Sequence, residues 1–291
     1  MSRREIYVRK SDGTQELFDP EKLQVSLETS GATKVTAKHI TEHVLKELED
    51  GMSTSIIREH AFTLLDRMEK PASARYSLKK ALSELGPSGF PFEQFAAEIF
   101  RARSFHVETN QFIEGHCTEH EVDLVVWNEN KLIMIEAKFH NELGLKSDLK
   151  VALYVKARFD DLLHKDYFYG KKRKLDEGWL ITNTKFTEKA ISYSTCAGLR
   201  IIGWNYPAEG NLHDLITDSG LHPVTSISSL SLPQKRALIG MGIVLCRDVK
   251  NPAMLKQIGL DERKIAEVIE EANLISPSEQ KRKAYPALSF N

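Results

Sequence analysis

In the stretch EVDLVVWNENKLIMIEAKF, residues 121–139, two apolar segments flank the polar turn NEN, which is the pattern of a β-hairpin. In a strand, residues i and i+2 share a face. Glu136 and Lys138 therefore project together from the second segment, while Ile135 and Ala137 point into packing. Charges on so apolar a strand are costly unless they serve a purpose. The hairpin thus predicts a functional site near its end.

A carboxylate on the first strand of this hairpin can approach Glu136. Asp123 lies in the apolar-flanked stretch HEVDLVV, and two clustered carboxylates repel each other unless a cation joins them. Hard oxygen ligands suit Mg²⁺, which keeps several waters and binds through one or two carboxylates plus a substrate phosphate. The ammonium of Lys138 can orient a water and offset charge on the phosphate, which predicts metal-assisted phosphodiester hydrolysis. The alternative is an exposed Glu136–Lys138 ion pair worth under about 1 kcal/mol.

The spacing Asp–x(12)–Glu-Ala-Lys, on a hairpin that follows a helix, resembles the PD-(D/E)XK nuclease family and in particular its Mrr-type restriction endonuclease branch. The resemblance covers about residues 88–206. It implies that Lys138 lies beside the attacking water and that Mg²⁺ or Mn²⁺ is the cofactor. The implied metal ligands, which with Lys138 form the catalytic set, are Asp123, Glu136 and Glu93. Glu93 is expected from the preceding helix, where Glu98 is the competing choice.

The N-terminal residues predict a small helical unit. Residues 5–18, EIYVRKSDGTQELF, read as a hairpin with its turn at 11–13, and Asp19 then caps a helix that has Pro20 at its first position. Three further helices are predicted after it. The last of them, the fourth helix of the unit, is ARYSLKKALSEL. The third is expected to bury Ile57, Ala61, Leu64 and Met68. A hairpin followed by four helices makes a complete small domain that ends at residue 86.

The stretch VRKSDGTQELFDPEKL, residues 8–23, resembles the opening of the ATP-cone, the nucleotide-sensing domain of ribonucleotide reductases and their transcriptional repressor. The implied nucleotide-binding residues are Lys10, Glu16, Asp19, Lys22, Thr54 and Arg58. In this reading Lys10 and Lys22 meet the phosphates beside a helix start, and the effector is ATP or dATP. The family often has Arg after the first lysine, where this chain has Ser11.

The remaining segments complete a multi-domain α/β fold. GPSGFP at 86–91 reads as a hinge, and the alternating helices and strands after it favour a restriction-endonuclease-like core with a central mixed sheet. The last helices loosely resemble SAM-like or helix-hairpin-helix modules, and a plain interaction bundle fits them equally well. The predicted division is an ATP-cone at 1–86, a nuclease core at 87–210, a small helical domain at 226–276 and a tail at 277–291.

The composition favours a cytoplasmic protein. Hydrophobic residues make up 41% of the 291 residues, no apolar run approaches the roughly 20 residues of a membrane span, and the first residues contain no signal-peptide core. Three widely spaced cysteines favour reduced thiols. His116, Cys117 and His120 lack a second cluster at zinc-finger spacing, so structural histidines are favoured. The net charge of −1 hides the basic run KKRK at 171–174, expected as a solvated loop or as a phosphate contact.

These patterns predict a divalent-metal-dependent DNA endonuclease that ATP or dATP regulates. The alternative is a nucleotide-responsive DNA-binding regulator whose nuclease fold no longer cuts. A homodimer or a higher oligomer is expected, because one such site hydrolyses one strand and a double-strand break needs two sites or two visits.

Overall fold

The computed structural model describes residues 5–10, 13–142 and 144–276, so the predicted turn residues 11 and 12 and the predicted tail lie outside it. Its strands are β1 (Tyr7–Arg9), β2 (Gln15–Leu17), β3 (His106–Glu114), β4 (Glu119–Trp127), β5 (Leu132–Lys138), β6 (Lys146–Ser147), β7 (Asp166–Tyr169), β8 (Lys171–Lys174), β9 (Glu177–Thr182), β10 (Lys185–Phe186) and β11 (Arg200–Ile202). Its α-helices are α1 (Pro20–Thr29), α2 (Lys34–Glu47), α3 (Thr54–Met68), α4 (Lys70–Tyr76), α5 (Leu78–Ser83), α6 (Phe90–Arg101), α7 (Leu149–Leu162), α8 (Glu188–Ala197), α9 (Leu212–Ser219), α10 (Leu232–Gly240), α11 (Pro252–Gln257) and α12 (Glu262–Ile275).

A mixed sheet in the order β11–β9–β5–β4–β3 forms the centre of the described part of the chain. The strands β3, β4 and β5 pair antiparallel, whereas β5, β9 and β11 pair parallel. The β4–β5 turn is closed by Asn128, whose Oδ1 accepts hydrogen bonds from the backbone N–H groups of Asn130 (2.8 Å) and Lys131 (2.9 Å). The predicted α/β fold with a central mixed sheet is confirmed.

The strand β5 is buried on both faces. On one side the core contains Ile133, Ile135 and Ala137 of β5 with Phe92, Phe95 and Phe100 of α6. On the other side it contains Leu132 and Met134 of β5 with Val155 and Phe159 of α7. Because side chains alternate along a strand, Glu136 and Lys138 follow the Met134 face and emerge at the carboxyl end of β5.

The N-terminal part has the predicted hairpin and helix cap but not the predicted fourth helix. Asp19 caps α1, because its Oδ1 accepts hydrogen bonds from the backbone N–H groups of Glu21 (2.9 Å) and Lys22 (3.4 Å). The stretch predicted as one helix forms the two short helices α4 and α5, which meet at Ser77. The third helix also turns differently, because it buries Leu65 and exposes 49% of Met68.

The helix α5 packs with the central part of the chain. Leu78 and Leu82 of α5, and Leu85 two residues after it, share a core with α6 and the central sheet. The core of the N-terminal helices contains Val8, Leu27 and Tyr76. By its contacts α5 therefore belongs to the central core, although the predicted domain boundary follows it.

The C-terminal helices form a further core and contact α3 and α5. Two 3-10 turns, Val224–Ser226 and Cys246–Asp248, accompany α10, α11 and α12. The hydroxyl of Thr225 donates to the carbonyl of Ala81 (2.6 Å), and the hydroxyl of Ser228 donates to Asp66 (3.2 Å). This part is therefore attached to the helices that precede the central sheet.

The basic run KKRK is a strand, so its prediction as a loop is wrong. It forms β8, which pairs antiparallel with β7. The guanidinium of Arg173 donates hydrogen bonds to the carbonyls of Glu129 (2.7 Å) and Lys131 (3.2 Å), so it supports the β4–β5 turn. The three lysines of the run are exposed.

None of the helices in the described ranges combines the length and the apolar character needed to cross a membrane.

Gly178→Ala should destabilise the fold. Gly178 lies in β9 beside Met134, and a Cβ there would come within 2.3 Å of the Phe159 ring of α7. Since Phe159 is itself buried, we expect a loss of about 1–3 kcal/mol and a lower melting temperature. Gly240→Ala is the matched control, because an added Cβ at this exposed end of α10 meets no atom within 4 Å. Equal melting temperatures for the two variants would contradict this account.

Candidate active site

Carboxylates from one helix and two strands converge at the carboxyl end of β5. Glu93 lies in the first turn of α6, Glu121 and Asp123 share a face of β4, and Glu136 lies on β5. Burial raises the pKa of Glu93 to about 7, and the charges on the other three carboxylates add to this rise. The four groups are therefore close enough to repel one another.

Asp123 is fixed to the neighbouring strand. Its Oδ2 accepts a hydrogen bond from the backbone N–H of Ala137 at 2.7 Å, next to Glu136 in the chain. Burial raises the pKa of the Asp123 carboxyl above its ordinary value, and this hydrogen bond opposes the rise. The backbone of β5 thus holds Asp123 beside Glu136, so the pairing expected from the hairpin is geometrically present.

Arg158 of α7 is the cation in direct contact with Glu136. Its guanidinium forms an ion pair with the Glu136 carboxylate and donates to the carbonyl of Glu121 at 2.9 Å and to the hydroxyl of Tyr154 at 2.8 Å. Even so, burial and the charge of Asp123 raise the pKa of Glu136 to about 7. Sequence analysis missed this contact, although the i, i+4 spacing of Tyr154 and Arg158 marked one face of α7.

Lys138 lies exposed at the end of β5, on the same face as Glu136. Its positive charge lowers the pKa of Glu136 and of Asp123, which places it within electrostatic range of both. The ion pair of Glu136 is made with Arg158, so the alternative of a Glu136–Lys138 pair does not describe the site. Just beyond Lys138, the backbone N–H of His140 donates to Asn183 Oδ1 at 2.8 Å, so the end of this strand is anchored to the segment after β9.

Of the two acidic residues considered on α6, Glu93 faces the cluster. Glu98 instead accepts hydrogen bonds from Arg101 and Arg247, both at 2.7 Å, and so joins α6 to the C-terminal part. Glu121 is a further member that sequence analysis missed. Its signal was present, because Glu121 lies two residues before Asp123 on a strand and must share its face.

The histidine and cysteine run before β4 has a structural role. Asp161 of α7 accepts hydrogen bonds from the backbone N–H of Cys117 (2.8 Å) and pairs with the ring of His120 (2.8 Å). These contacts hold the pKa of the Asp161 carboxyl well below its ordinary value, with the hydrogen bond to His120 as the largest cause. The favoured interpretation of structural histidines agrees with this geometry.

The predicted nucleotide residues lie on the hairpin, α1 and α3. The ammonium of Lys10 is 2.7 Å from the Glu16 carboxylate, and that of Lys22 is 4.0 Å from it. The carboxylate of Asp19 is engaged as the cap of α1. Thr54 is the first residue of α3, whose preceding residue forms a β-bridge to β1. Lys10, Glu16 and Lys22 are therefore brought together.

Arg58, one turn further along α3, lines a cavity of about 550 Å³. Its guanidinium lies 5.9 Å from the centre of the Tyr76 ring. The cavity is formed by residues of the N-terminal helices, the segment after β5 and the C-terminal part. Its basic lining residues are Arg58, Lys79, Lys80 and Lys235. Burial lowers the pKa of Lys79 to about 8, and repulsion from Lys185 and Arg58 adds to this.

Two parts of the chain match protein families. Residues 86–205 match the restriction endonuclease family (Mrr_cat), and residues 222–276 match the C-terminal domain of AF1548-like proteins. The first match contains the carboxylate cluster and Lys138. The resemblance of the central part to a restriction endonuclease is thereby confirmed, whereas the ATP-cone lies outside both matches and stays a prediction.

Two relatives each cover a little under two thirds of this chain. An uncharacterized protein of Archaeoglobus fulgidus is 35% identical over 181 residues, which are 62% of this chain and 98% of that protein. The crystal structure of AF1548, a protein of unknown function, has a TM-score of 0.53 and 34% identity and covers 66% of this chain and 100% of its own. The MspJI restriction endonuclease bound to a 27-mer oligonucleotide has a TM-score of 0.33 and 13% identity over 68% of this chain and 39% of its own, which is too low to identify a shared fold.

Glu93→Gln should raise the melting temperature of the metal-free protein at pH 8. Folding raises the pKa of Glu93 from 4.5 to about 7, so the folded state holds this proton more tightly than the unfolded chain does. The free energy of unfolding of the wild type therefore falls as the pH rises from 4.5 through about 7. With allowance for solvent screening at a half-buried site, we expect a gain of about 1 kcal/mol, or about 2–4 °C. At pH 5, where Glu93 is protonated, the gain should vanish.

Thermal unfolding in a chelator at both pH values measures this effect. Glu98→Gln is the matched control on the same helix, because its partners are arginines and its loss should not stabilise the protein. A Glu93→Gln protein that is no more stable than the wild type at pH 8 would contradict the raised pKa of Glu93 and the burial and repulsion that cause it.

Proposed function

The chain belongs to the AF1548-like family and carries a restriction endonuclease-like domain, and we propose that it is a divalent-metal-dependent DNA endonuclease controlled by ATP or dATP. The observation that carries the proposal is the convergence of Glu93, Asp123 and Glu136, with Lys138 on the same strand face as Glu136. This is the residue set that hydrolysis of a phosphodiester with metal assistance requires.

The donor set fits a hard divalent cation. Four carboxylates share one half-buried site, and burial together with their repulsion raises the pKa of Glu93 and of Glu136 to about 7. We propose that Asp123, Glu136 and Glu93 hold Mg²⁺ or Mn²⁺ and that Glu121 is a further oxygen donor at its edge. When bound, the ion would polarise the phosphate and make a coordinated water more acidic.

The protein residues then have distinct tasks. Lys138 would lie beside the attacking water and stabilise the negative charge that builds up on the phosphate. The backbone N–H of Ala137 orients Asp123, and the ion pair with Arg158 orients Glu136. Arg158 is thus a positioning residue, held in turn by the hydroxyl of Tyr154. Asp123 and Glu136 are thus held in place, one by a hydrogen bond and the other by an ion pair, before any substrate arrives.

DNA is the substrate class we propose. The three exposed lysines of β8 offer a positive surface for a phosphate backbone, on a hairpin whose position is fixed by Arg173. The rival function is a DNA-binding regulator whose nuclease fold is inactive. The complete set of acidic residues and Lys138 favours hydrolysis over this rival, because a protein that only binds has no need for repelling carboxylates in a half-buried site.

Control by a nucleotide is supported by the cavity beside Arg58, the one predicted nucleotide-binding residue in its lining; Lys10 and Lys22 do not line it and form the separate group around Glu16. Its size is within the range of ligand pockets, and its lysines and arginine suit phosphates. Lys80 and Lys235 have carboxylate neighbours at 3.7 Å and 3.8 Å, namely Glu59 and Glu84, and the lining as a whole contains four basic residues and these two acidic ones. Asn141, three residues after Lys138, also lines the cavity, so a bound ligand would contact the segment that leaves the catalytic strand.

Asp123→Ala should abolish DNA cleavage and weaken Mg²⁺ binding, because it removes a metal ligand. Lys138→Ala should lower cleavage at least about 100-fold while metal binding persists, since Lys138 is proposed to contact the attacking water and is not a metal ligand. Nicking of supercoiled plasmid with Mg²⁺ or Mn²⁺ and calorimetric titration of the metal measure the two effects. DNA cleavage at the wild-type rate by either variant would contradict the role proposed for that residue.

Glu98→Gln is the control for these variants, because it lies on α6 outside the cluster and should cut like the wild type. A wild-type protein that binds DNA but never cuts it would favour the rival regulator. The products also test the expected dimer, because one site cuts one strand. A monomer by light scattering that linearises plasmid in one concerted step would contradict that expectation.

Lys22→Ala should weaken ATP or dATP binding by about 10- to 100-fold through the loss of one charged phosphate contact and should flatten the response of cleavage to nucleotide. Basal cleavage should persist, because Lys22 lies outside the carboxylate cluster. The full chain is the right material for calorimetry, because a fragment ending at residue 86 would expose the leucines of α5. Lys34→Ala, at the start of α2 and outside the predicted contacts, is the matched control. If neither nucleotide binds the wild type at millimolar concentration, the control hypothesis fails.

A further inference from the structure

The helices α2 and α3 bring three potential metal ligands together, and two of them are histidines, unlike the carboxylate cluster. His43 and Glu47 lie four residues apart on α2 and so share one face of that helix, and His60 of α3 lies opposite them. One ligand atom of each residue lies within 4.8 Å of the other two. The Nδ1 of His43 is 3.6 Å from one Glu47 carboxylate oxygen, and the Nδ1 of His60 is 3.3 Å from the other.

The ring of His43 lacks a hydrogen-bond partner where it faces this cluster. Its Nδ1 is buried and has none among the described residues, and 3.6 Å to Glu47 is too long for a hydrogen bond. Buried polar atoms are nearly always paired, with protein, water or an ion. The two imidazoles lie edge to face with their centres 5.3 Å apart, so packing brings them together without a bond between them.

The spacing matches that of ligands around a small tetrahedral ion. Metal–ligand bonds of about 2.0–2.1 Å at tetrahedral angles separate neighbouring ligand atoms by about 3.3–3.4 Å. The observed 3.3 Å and 3.6 Å are close to this value, although they reach the two different oxygens of Glu47, and one ligand atom from each residue lies within 4.8 Å of the other two. Rotation of these side chains would bring both nitrogens and one oxygen to a single ion. Two imidazoles and one carboxylate are ligands that suit Zn²⁺, and they leave one position for water.

We propose that His43, Glu47 and His60 bind one Zn²⁺ ion that joins α2 to α3. The nitrogen donors distinguish this site from the all-oxygen cluster on the central sheet, which suits Mg²⁺ or Mn²⁺. The ion fixes α3 two residues beyond Arg58, and so stiffens the helix that borders the basic cavity. The proposal does not depend on nuclease activity or on nucleotide binding.

Metal titration of the chelator-treated full chain tests the site. With millimolar Mg²⁺ present to occupy the oxygen cluster, the wild type should take up one more equivalent of Zn²⁺ than His43→Ala or His60→Ala. Substitution by Co²⁺ should give the intense visible bands of a tetrahedral ion with nitrogen ligands, and these bands should be absent from both variants. Zn²⁺ should also raise the melting temperature of the wild type by several degrees and leave that of the variants unchanged.

His39→Ala is the matched control, because His39 is an exposed histidine on the same helix outside the cluster. It should bind Zn²⁺ like the wild type. Glu47→Gln, whose side chain is 56% exposed, removes a ligand without opening a cavity and covers the case in which a histidine variant fails to fold. Equal Zn²⁺ uptake by the wild type, His60→Ala and Glu47→Gln would overturn the proposal, and so would a Co²⁺ spectrum typical of octahedral oxygen ligands.

Discussion

The burial of β5 on both faces fixes the position of the carboxylate cluster. This strand lies between antiparallel β4 and parallel β9, with α6 against one face and α7 against the other. A strand so enclosed cannot shift its register without moving its apolar side chains out of both cores. Its carboxyl end is therefore fixed in space. Glu136 and Lys138 obtain their positions from that fixed end, and Asp123 obtains its position from the backbone N–H of Ala137.

The carboxylate cluster works against the stability that this burial provides. Four acidic groups at the edge of a packed core lose solvation and repel one another, and the raised pKa values of Glu93 and Glu136 express these two costs. Arg158 offsets part of it through its ion pair with Glu136, and the hydrogen bond from Ala137 offsets part of the cost of Asp123. A fold without a use for these charges would be more stable with neutral side chains, so the cluster is the feature that most directly indicates function.

Sequence reasoning succeeded where local chemistry decides the outcome. The hairpin followed from its polar turn and apolar strands, and the cap of α1 followed from Asp19 before Pro20. It failed where tertiary packing overrides a local pattern. The stretch from residue 74 to 85 has a continuous helical periodicity, yet it breaks at Ser77 because its second half packs into the central core. Arg158 could not be assigned to Glu136 from spacing, because the contact joins a helix and a strand 22 residues apart.

The packing of α5 also changes how the N-terminal part would influence the site. A hinge at residues 86–91 would let two bodies swing independently, but Leu85 before it and Phe92 after it are both fully buried in one core. Hydrogen bonds from Thr225 to Ala81 of α5 and from Ser228 to Asp66 of α3 attach the C-terminal part to these helices. A signal from α3 would therefore pass through packed helices that move together. Asn141 is the residue through which such a movement would reach the site, because its side-chain amide donates a hydrogen bond to the carbonyl of Pro87 at 3.3 Å and it lies three residues after Lys138.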